Sequence, residues 1–172
     1  MSTPTISVTL RPASAADRQL LTRMLALAAD WRPDAEVRSD EALLGDPHLA
    51  RYVDGWQRAG DAGVVALDDS SRPLGASWFR FFTSSEPGYG FVDSATPEVS
   101  IAVDARSRGR GIGEALLREV CRAARVRGVD AVSLSVELDN PARRLYEKLG
   151  FVPVAGDARR DPGESLTMRL TL

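Results

Sequence analysis

The chain is predicted to fold as an α/β protein in which a mixed sheet carries helices on its faces. Segments that alternate polar and apolar residues, as half-buried strands do, recur along the chain. Segments with apolar residues at helical spacing separate several of these strands. The 172 residues, 44% hydrophobic and 27% charged, suffice for one globular core, so residues 1–172 are expected to form a single domain.

The first 61 residues are predicted to hold one strand, one long helix and an irregular region. Thr5–Leu10 alternates polar and apolar residues, which predicts the strand. Ser14 and Asp17 have capping-box spacing, and the apolar residues that follow recur at helical spacing. Prolines and glycines interrupt residues 30–61, which predicts one or two short helices broken by loops.

Three strands and a long connection are predicted next. Val64–Leu67 and Leu74–Phe82 flank a segment rich in turn residues and are expected to form a hairpin. Residues 83–97 contain two prolines and two glycines and form a long loop, a kind of segment that is usually functional or mobile in a compact domain. Glu98–Val103 is the third of these strands.

The second half of the chain is predicted to hold two helices and three strands. The stronger helix covers Ile112–Arg127, and Ala131–Leu138 alternates as a strand. Asn140 as N-cap, with Pro141 at the first helical position, begins the other helix, which ends at Gly150. The closing strands are Phe151–Val154 and Leu166–Leu172.

Charge and residue counts exclude several classes of protein. A net charge of −2 argues against general nucleic-acid binding and against a basic membrane-binding surface. The longest apolar run, Met24–Ala29, is too short to span a bilayer, and the first residues lack the pattern of a secretory signal. One cysteine, Cys121, and one histidine, His48, argue against an internal disulfide and a Cys/His zinc site. We expect a cytoplasmic protein without a metal.

The most informative segment is a glycine-rich turn between a predicted strand and the strongest predicted helix. Three glycines within five residues, at positions 109, 111 and 113, allow backbone conformations and close approaches that a Cβ would block. The helix that follows presents unpaired N–H groups and the positive end of its dipole. Residues 104–127 also hold seven arginines against three acids. Together these features predict a phosphate-binding turn.

The residues around the glycines narrow the class of phosphate ligand. A P-loop needs lysine and then serine or threonine after its last glycine, but Gly113 is followed by Glu114 and Ala115. The dinucleotide fingerprint fails because position 114 is not glycine. The pattern that matches is Arg-x-x-Gly-x-Gly over Arg108–Gly113, directly after a strand that ends at Asp104. The alternative is a turn whose glycines only let the helix pack against the strand.

The Arg108–Gly113 pattern resembles the acetyl-CoA pyrophosphate motif of the GNAT superfamily of N-acetyltransferases. Leu10–Ala13, followed by Asp17, is similar to the usual start of a GNAT domain, and Asn140–Phe151 is similar to the second family motif. The resemblance implies an α/β (α+β) fold with a mixed, mostly antiparallel central sheet of six to seven strands. It also implies helices on both faces and a cofactor crevice between the fourth and fifth strands.

The resemblance further implies which residues bind acetyl-CoA. The backbone of Ile101–Val103 is expected to pair with the pantetheine arm as an added strand. Asn140 is expected to contact the arm or its bound water, although a simple helix N-cap is nearly as good an interpretation. The expected cofactor-binding residues are Ile101, Ala102, Val103, Arg108, Gly109, Arg110, Gly111, Ile112, Gly113 and Asn140.

Acetyl transfer to an amine needs a base for an ammonium group of pKa ~10 and an acid for the departing thiolate. The resemblance nominates Tyr146 as the acid, and its place on an apolar helical stripe makes a core role the alternative. The resemblance nominates Glu98 as the base, often acting through water, and the alternative is an exposed carboxylate at the start of a strand. The oxyanion donor is expected to be a backbone N–H near a bulge at Ser100–Ile101.

The aromatic strand has two distinct faces. Alternation places Trp78, Arg80 and Phe82 on one face and Phe79 and Phe81 on the other. One face is expected to be core. The other is expected to wall the acceptor site, to pack in the core or to form a dimer contact, so a homodimer is an open alternative.

The resemblance implies transfer of an acetyl group from acetyl-CoA to a primary amine by direct attack in a ternary complex. The alternative is an acetyl-CoA-binding sensor or partner subunit without turnover. Acyl transfer to a hydroxyl, or of a longer acyl group, would differ only in pocket shape. The expected acceptor is a small-molecule or peptide amine. Residues 30–61, with eight acids against four arginines, suit a cationic amine, but a charge excess is more often a solvated face.

Overall fold

A seven-stranded sheet with the order β1-β2-β3-β4-β5-β7-β6 forms the centre of the molecule. The computed structural model describes residues 7–155 and 164–172. The strands are β1 (Thr9–Pro12), β2 (Ala62–Leu67), β3 (Pro73–Arg80), β4 (Glu98–Val103), β5 (Ala131–Glu137), β6 (Val152–Pro153) and β7 (Ser165–Thr171). The helices are α1 (Arg18–Ala29), α2 (Asp40–Leu44), α3 (Pro47–Ala50), α4 (Ile112–Val126) and α5 (Arg143–Lys148), with 3-10 turns at Ala15–Asp17 and Ala105–Ser107.

The predicted fold class is confirmed, because all neighbouring strands are antiparallel except the parallel pair β4 and β5. The bounds of β4 agree with the prediction, and α4 ends one residue earlier than predicted. The first strand lies later in the chain than predicted, at Thr9–Pro12, and positions 5 and 6 of the predicted strand lie outside the described residues. Within the described ranges, no helix is both long and apolar enough to cross a membrane.

Two apolar cores lie on opposite faces of the sheet. One core packs against α4 and α5, and it contains Phe79 of β3 and Val99 of β4. The other packs against α1, α2 and the residues after α3, and it contains Trp78 of β3. Both faces of the aromatic strand are therefore core at these positions, so neither is left as a wall for an acceptor. The reason is that β3 lies inside the sheet, with helices on both sides.

Strands β4 and β5 diverge from their first residue pair. Their register contains the single pair Glu98 and Ser133, and the Ser133 N–H donates to the carbonyl of Pro97 at 3.0 Å. Beyond that pair the two strands separate, whereas β4 stays paired with β3 over its whole length. This divergence opens a crevice between the fourth and fifth strands, at the place that the resemblance implies.

A buried ion pair anchors the chain segment that precedes β2. Arg80 is 1% exposed, and its Nη2 and Nε donate to the two carboxylate oxygens of Asp61 at 2.7 and 3.1 Å. Its Nη1 donates to the backbone carbonyls of Arg51 and Asp54 at 2.8 and 2.6 Å. Arg80 therefore holds residues 51–54 against the sheet.

We expect Arg80→Met to lower the free energy of unfolding by about 3–5 kcal/mol, because it leaves the buried Asp61 carboxylate without its cation. The matched control is Arg18→Met, which breaks the exposed pair with Asp54 and is expected to change stability by less than about 1 kcal/mol. Urea denaturation of both variants checks this. Equal losses in the two variants would contradict the anchoring role of Arg80.

Candidate active site

The glycine-rich turn leads from the end of β4 into the N-terminus of α4. Gly109 and Gly111 have φ angles of 73° and 77°, in the left-handed region that favours glycine. A Cβ at either position would meet no atom within 4 Å, so the outer side of the turn is open. The N–H groups at the start of the fifteen-residue helix α4 therefore adjoin open space, as an anion site requires.

The charges around the turn favour an anion. Arg106 and Arg110 are exposed, and among residues 7–155 and 164–172 neither has an acidic partner within salt-bridge distance. Glu114, the acid in the first turn of α4, is neutralised by Lys148 at 2.6 Å and by Arg118 at 2.8 Å. The positive charge of the turn is thus left available.

The crevice borders the turn. Residues 101–103 of β4 have no register partner on β5, so this edge of β4 is open to another extended chain. The Arg108 Nε lies at the end of that edge and donates to the Val103 carbonyl at 3.2 Å. The expected bulge at Ser100–Ile101 is wrong, because β4 pairs with β3 in continuous register through both residues.

Glu98 is buried, at 4% exposure, so the alternative of an exposed carboxylate is wrong. Its Oε1 accepts hydrogen bonds from the Tyr52 hydroxyl at 2.6 Å and from the Gly90 N–H at 3.0 Å. Its Oε2 has no hydrogen-bond partner in the described part of the chain. Burial raises the pKa of Glu98 to about 7, against the two hydrogen bonds, which lower it.

The 83–97 loop covers Glu98. The Tyr89 N–H donates to the Tyr52 hydroxyl at 2.7 Å, and the Arg51 guanidinium donates to the Pro87 carbonyl. A Cβ on Gly88 would collide with Glu98 Oε2, so only glycine lets the loop lie this close. The loop, expected to be functional or mobile, is tied down over the carboxylate at several points.

Tyr146 of α5 lies in the core on the α4 side of the sheet. Its ring packs edge-on against Phe151, with centroids 5.9 Å apart. No residue of the described ranges forms a hydrogen bond with its hydroxyl. Burial raises the pKa of Tyr146 to about 12, so the phenol keeps its proton at neutral pH. The ring of Tyr146 thus belongs to the core, whereas its hydroxyl is not hydrogen-bonded by any of the described residues.

Asn140 acts as a cap, but not at the first residue of the helix. Its Oδ1 accepts from the Ala142 N–H at 2.9 Å, while α5 begins only at Arg143. The intervening residues form a tighter turn, in which the Arg143 N–H donates to the Asn140 carbonyl at 3.1 Å. The prediction that Asn140 is the N-cap of this helix is therefore wrong, because Ala142 holds that position and Asn140 caps only the preceding turn. Contact with a cofactor stays a prediction.

The acidic excess of residues 30–61 is partly neutralised within the protein. Asp30 pairs with Arg38, Asp54 with Arg18 and Asp61 with Arg80. These paired carboxylates are not available to attract a cationic acceptor, and Asp61 is buried rather than solvated. In the ranges that the structure describes, no cluster of three or more His, Cys, Asp or Glu side chains is arranged to hold a metal ion.

The functional residue that sequence reasoning missed is Tyr52. It is 46 positions from Glu98 and lies in a segment without regular periodicity. The sequence feature that could have pointed to this segment is Arg80. A charged residue among aromatic residues on an interior strand needs a buried acid and buried hydrogen-bond acceptors. Those acceptors are the carbonyls that flank Tyr52.

Comparison with known proteins identifies related chains. A model of the acetyltransferase (GNAT) family matches residues 22–151. The mycothiol acetyltransferase of Beutenbergia cavernae is 36% identical over 113 residues, which are 58% of this chain and 38% of that protein. The chain spans less than half the length of the curated relatives it matches.

Solved structures share the fold at low sequence identity. The ribosomal-protein-alanine N-acetyltransferase of Brucella melitensis has a TM-score of 0.67 and 24% identity, over 95% of this chain and 99% of that one. A phosphinothricin acetyltransferase of Sinorhizobium meliloti, solved in complex with AcCoA, has a TM-score of 0.65 and 23% identity, over 96% and 88% of the two chains. At these identities the likeness shows the fold.

We expect Glu98 to make the folded protein less stable as the pH rises from about 5 to 7. In this window the unfolded carboxyl has lost its proton while the folded one, with pKa about 7, still holds it. Stability should fall by about 1.4 kcal/mol per pH unit relative to Glu98→Gln, and then level off above pH 7. Urea denaturation of both proteins across this range measures the difference. Parallel stability curves would show that Glu98 ionises normally.

Proposed function

Because the chain belongs to the GNAT acetyltransferase family, we propose that it transfers the acetyl group of acetyl-CoA to a primary amine by direct attack in a ternary complex. The observation that carries this proposal is the buried carboxylate of Glu98 beside the opening between β4 and β5. Its Oε1 accepts two hydrogen bonds, and its Oε2 has no partner among the residues that the structure describes. A base is needed there because an alkylammonium of pKa ~10 has no lone pair at neutral pH.

Glu98 takes the proton of the acceptor amine in this mechanism. Burial brings its pKa to about 7, so near neutral pH a substantial fraction is ionised and is more basic than an exposed carboxylate. The neutral amine then attacks the thioester carbonyl. Cys121 takes no part, because it is buried in α4 and burial raises its pKa to about 11.

Two parts of the chain fit acetyl-CoA. The turn at Arg108–Gly113 offers the open N-terminus of α4 and glycines that leave its outer side clear. Two arginines nearby, Arg106 and Arg110, have no acidic partner among the residues that the structure describes. The edge at Ile101–Val103 offers unpaired backbone to an extended pantetheine arm. Bound there, acetyl-CoA supplies the activated acetyl group.

Tyr146 donates its proton to the departing sulfur. Glu98 lies on the face of the sheet that carries Trp78, whereas Tyr146 packs in the core on the other face. The separation of β4 and β5 gives a passage between these two faces, so the acid and the base can act from opposite sides of one thioester. No residue in the described part of the chain competes for the hydroxyl of Tyr146.

The acceptor is proposed only as a class, a small-molecule or peptide primary amine. Curated relatives bear the name mycothiol acetyltransferase, which makes the acceptor of those enzymes one candidate. The test is a panel of polyamines, amino acids, amine antibiotics, peptide N-termini and that acceptor, assayed for thiol release from acetyl-CoA. Thiol release with one class of amine, together with its loss in the Glu98→Gln variant, supports the proposal. Tight binding of acetyl-CoA without release by any class would support a sensor or partner subunit instead.

We expect Gly111→Val to abolish acetyl-CoA binding, because the side chain would occupy the open side of the turn. Gly128→Val is the matched control: Gly128 has φ 75° at the opposite end of the same helix and also meets no atom within 4 Å. The two variants should therefore suffer similar backbone strain, about 1–3 kcal/mol. Calorimetry measures the acetyl-CoA affinity of both variants, which should be lost only in Gly111→Val. Equal affinities in the two variants would overturn the assignment of the turn.

We expect Tyr146→Phe to reduce turnover by roughly 10²–10⁴, the usual range for loss of a general acid. Phenylalanine keeps the ring that packs against Phe151, and the hydroxyl that it removes has no hydrogen bond to any residue of the described ranges. Acetyl-CoA affinity and melting temperature should therefore stay unchanged. The measurement is kcat beside the acetyl-CoA Kd, with one verified acceptor. Unchanged kcat would remove Tyr146 from the mechanism.

A further inference from the structure

Tyr52 is the side chain whose hydroxyl donates to Glu98. The Tyr52 hydroxyl lies 2.6 Å from Glu98 Oε1, and Tyr52 is 4% exposed. The same oxygen accepts the Tyr89 N–H at 2.7 Å. Since a phenol has one proton, and the Tyr89 N–H takes a lone pair, the Tyr52 proton is directed at Glu98. Burial and the Glu98 charge raise the pKa of Tyr52 above its ordinary value, so it remains a donor.

The position of this donor is fixed from several sides. The Tyr52 ring meets Phe82 edge-on at 5.1 Å between centroids, and stacks on Tyr89 at 6.4 Å. Its backbone carbonyl accepts from Trp78 Nε1 at 3.0 Å. Arg80 holds the carbonyls on either side of it. The hydroxyl is therefore presented to Glu98 by a segment that has little freedom to move.

The two oxygens of Glu98 are consequently unequal. Oε1 accepts two hydrogen bonds, from Tyr52 and from the Gly90 N–H. Oε2 is buried and accepts none from any residue of the described ranges. We propose that Tyr52 is a positioning residue that holds Oε1 and so fixes the orientation in which the Glu98 carboxylate takes the proton of the acceptor amine. This inference rests on the proposed role of Glu98 as the base.

The proposal predicts a specific effect of removing the phenol proton. A hydrogen bond to a carboxylate favours its ionised form, so loss of the Tyr52 donor disfavours ionisation of Glu98. The other charged groups that face Glu98 are Arg51, which favours the carboxylate, and the cross-strand Arg80, which is neutralised by Asp61. The Tyr52→Phe substitution leaves Arg51, Arg80 and Asp61 in place.

The experiment compares wild type, Tyr52→Phe and Glu98→Gln with the control Thr22→Val. Thr22 has a buried hydroxyl on the same side of the sheet, bonded to the Arg18 carbonyl at 2.9 Å, so the control removes a hydroxyl without touching Glu98. Carboxyl ¹³C NMR follows the titration of Glu98 without any acceptor. The midpoint should lie near pH 7 in wild type and in the control, and about one pH unit higher in Tyr52→Phe.

Turnover with an amine found by the panel gives the second readout. We expect the acidic limb of the kcat profile to move upward in Tyr52→Phe, with about a tenfold loss at pH 6 and recovery at pH 9. Acetyl-CoA affinity should be unchanged. Profiles and Glu98 midpoints that coincide with wild type would overturn the positioning role, even if Glu98→Gln is inactive. A Glu98→Gln variant that keeps its rate and acidic limb would instead overturn Glu98 as base.

A second variant guards against loss of the fold. Tyr52→Met also lacks the donor but fills the site with a flexible apolar chain. Circular dichroism shows which variant is folded, and the Glu98 titration is read in that one. A raised midpoint in either folded variant supports the proposal, and an unchanged midpoint contradicts it.

Discussion

The ion pair between Arg80 and Asp61 is buried in the sheet, and the geometry around Glu98 depends on it. Burying two charges is unfavourable unless their remaining hydrogen-bonding capacity is also satisfied. Arg80 meets that requirement with the carbonyls of Arg51 and Asp54. Because those carbonyls flank Tyr52, the same bonds that make the buried charge tolerable also place the phenol against Glu98.

A second constraint comes from the single parallel strand pair. β4 and β5 meet at Glu98 and Ser133, and the Ser133 hydroxyl also donates to the Gly90 carbonyl of the 83–97 loop at 2.7 Å. The loop is thereby attached to the point from which the strands diverge. Glu98 lies at that point, so the candidate base, its cover and the opening of the crevice are set by one local arrangement.

The environment of Glu98 determines how strong a base its carboxylate is. Burial disfavours the charged form and raises the pKa of the carboxyl to about 7, whereas the bonds from Tyr52 and Gly90 keep ionisation within reach of neutral pH. A fully hydrated carboxylate would be a weaker base, and a buried one without donors would stay protonated. Glu98 lies between these limits, because its Oε1 has two donors and its Oε2 has none in the described part of the chain.

The sequence by itself determined the parts of this protein that depend on local periodicity and on backbone conformation. It predicted β4, α4 and the turn at Gly109 and Gly111, because alternation, helical spacing and positive φ are properties of neighbouring residues. Only the tertiary structure decided that Glu98 is buried, that the strand at Ser100 has no bulge and that Tyr52 reaches the carboxylate. These features join residues far apart in the chain, and they follow from strand order and from the burial of Arg80, which no local pattern specifies.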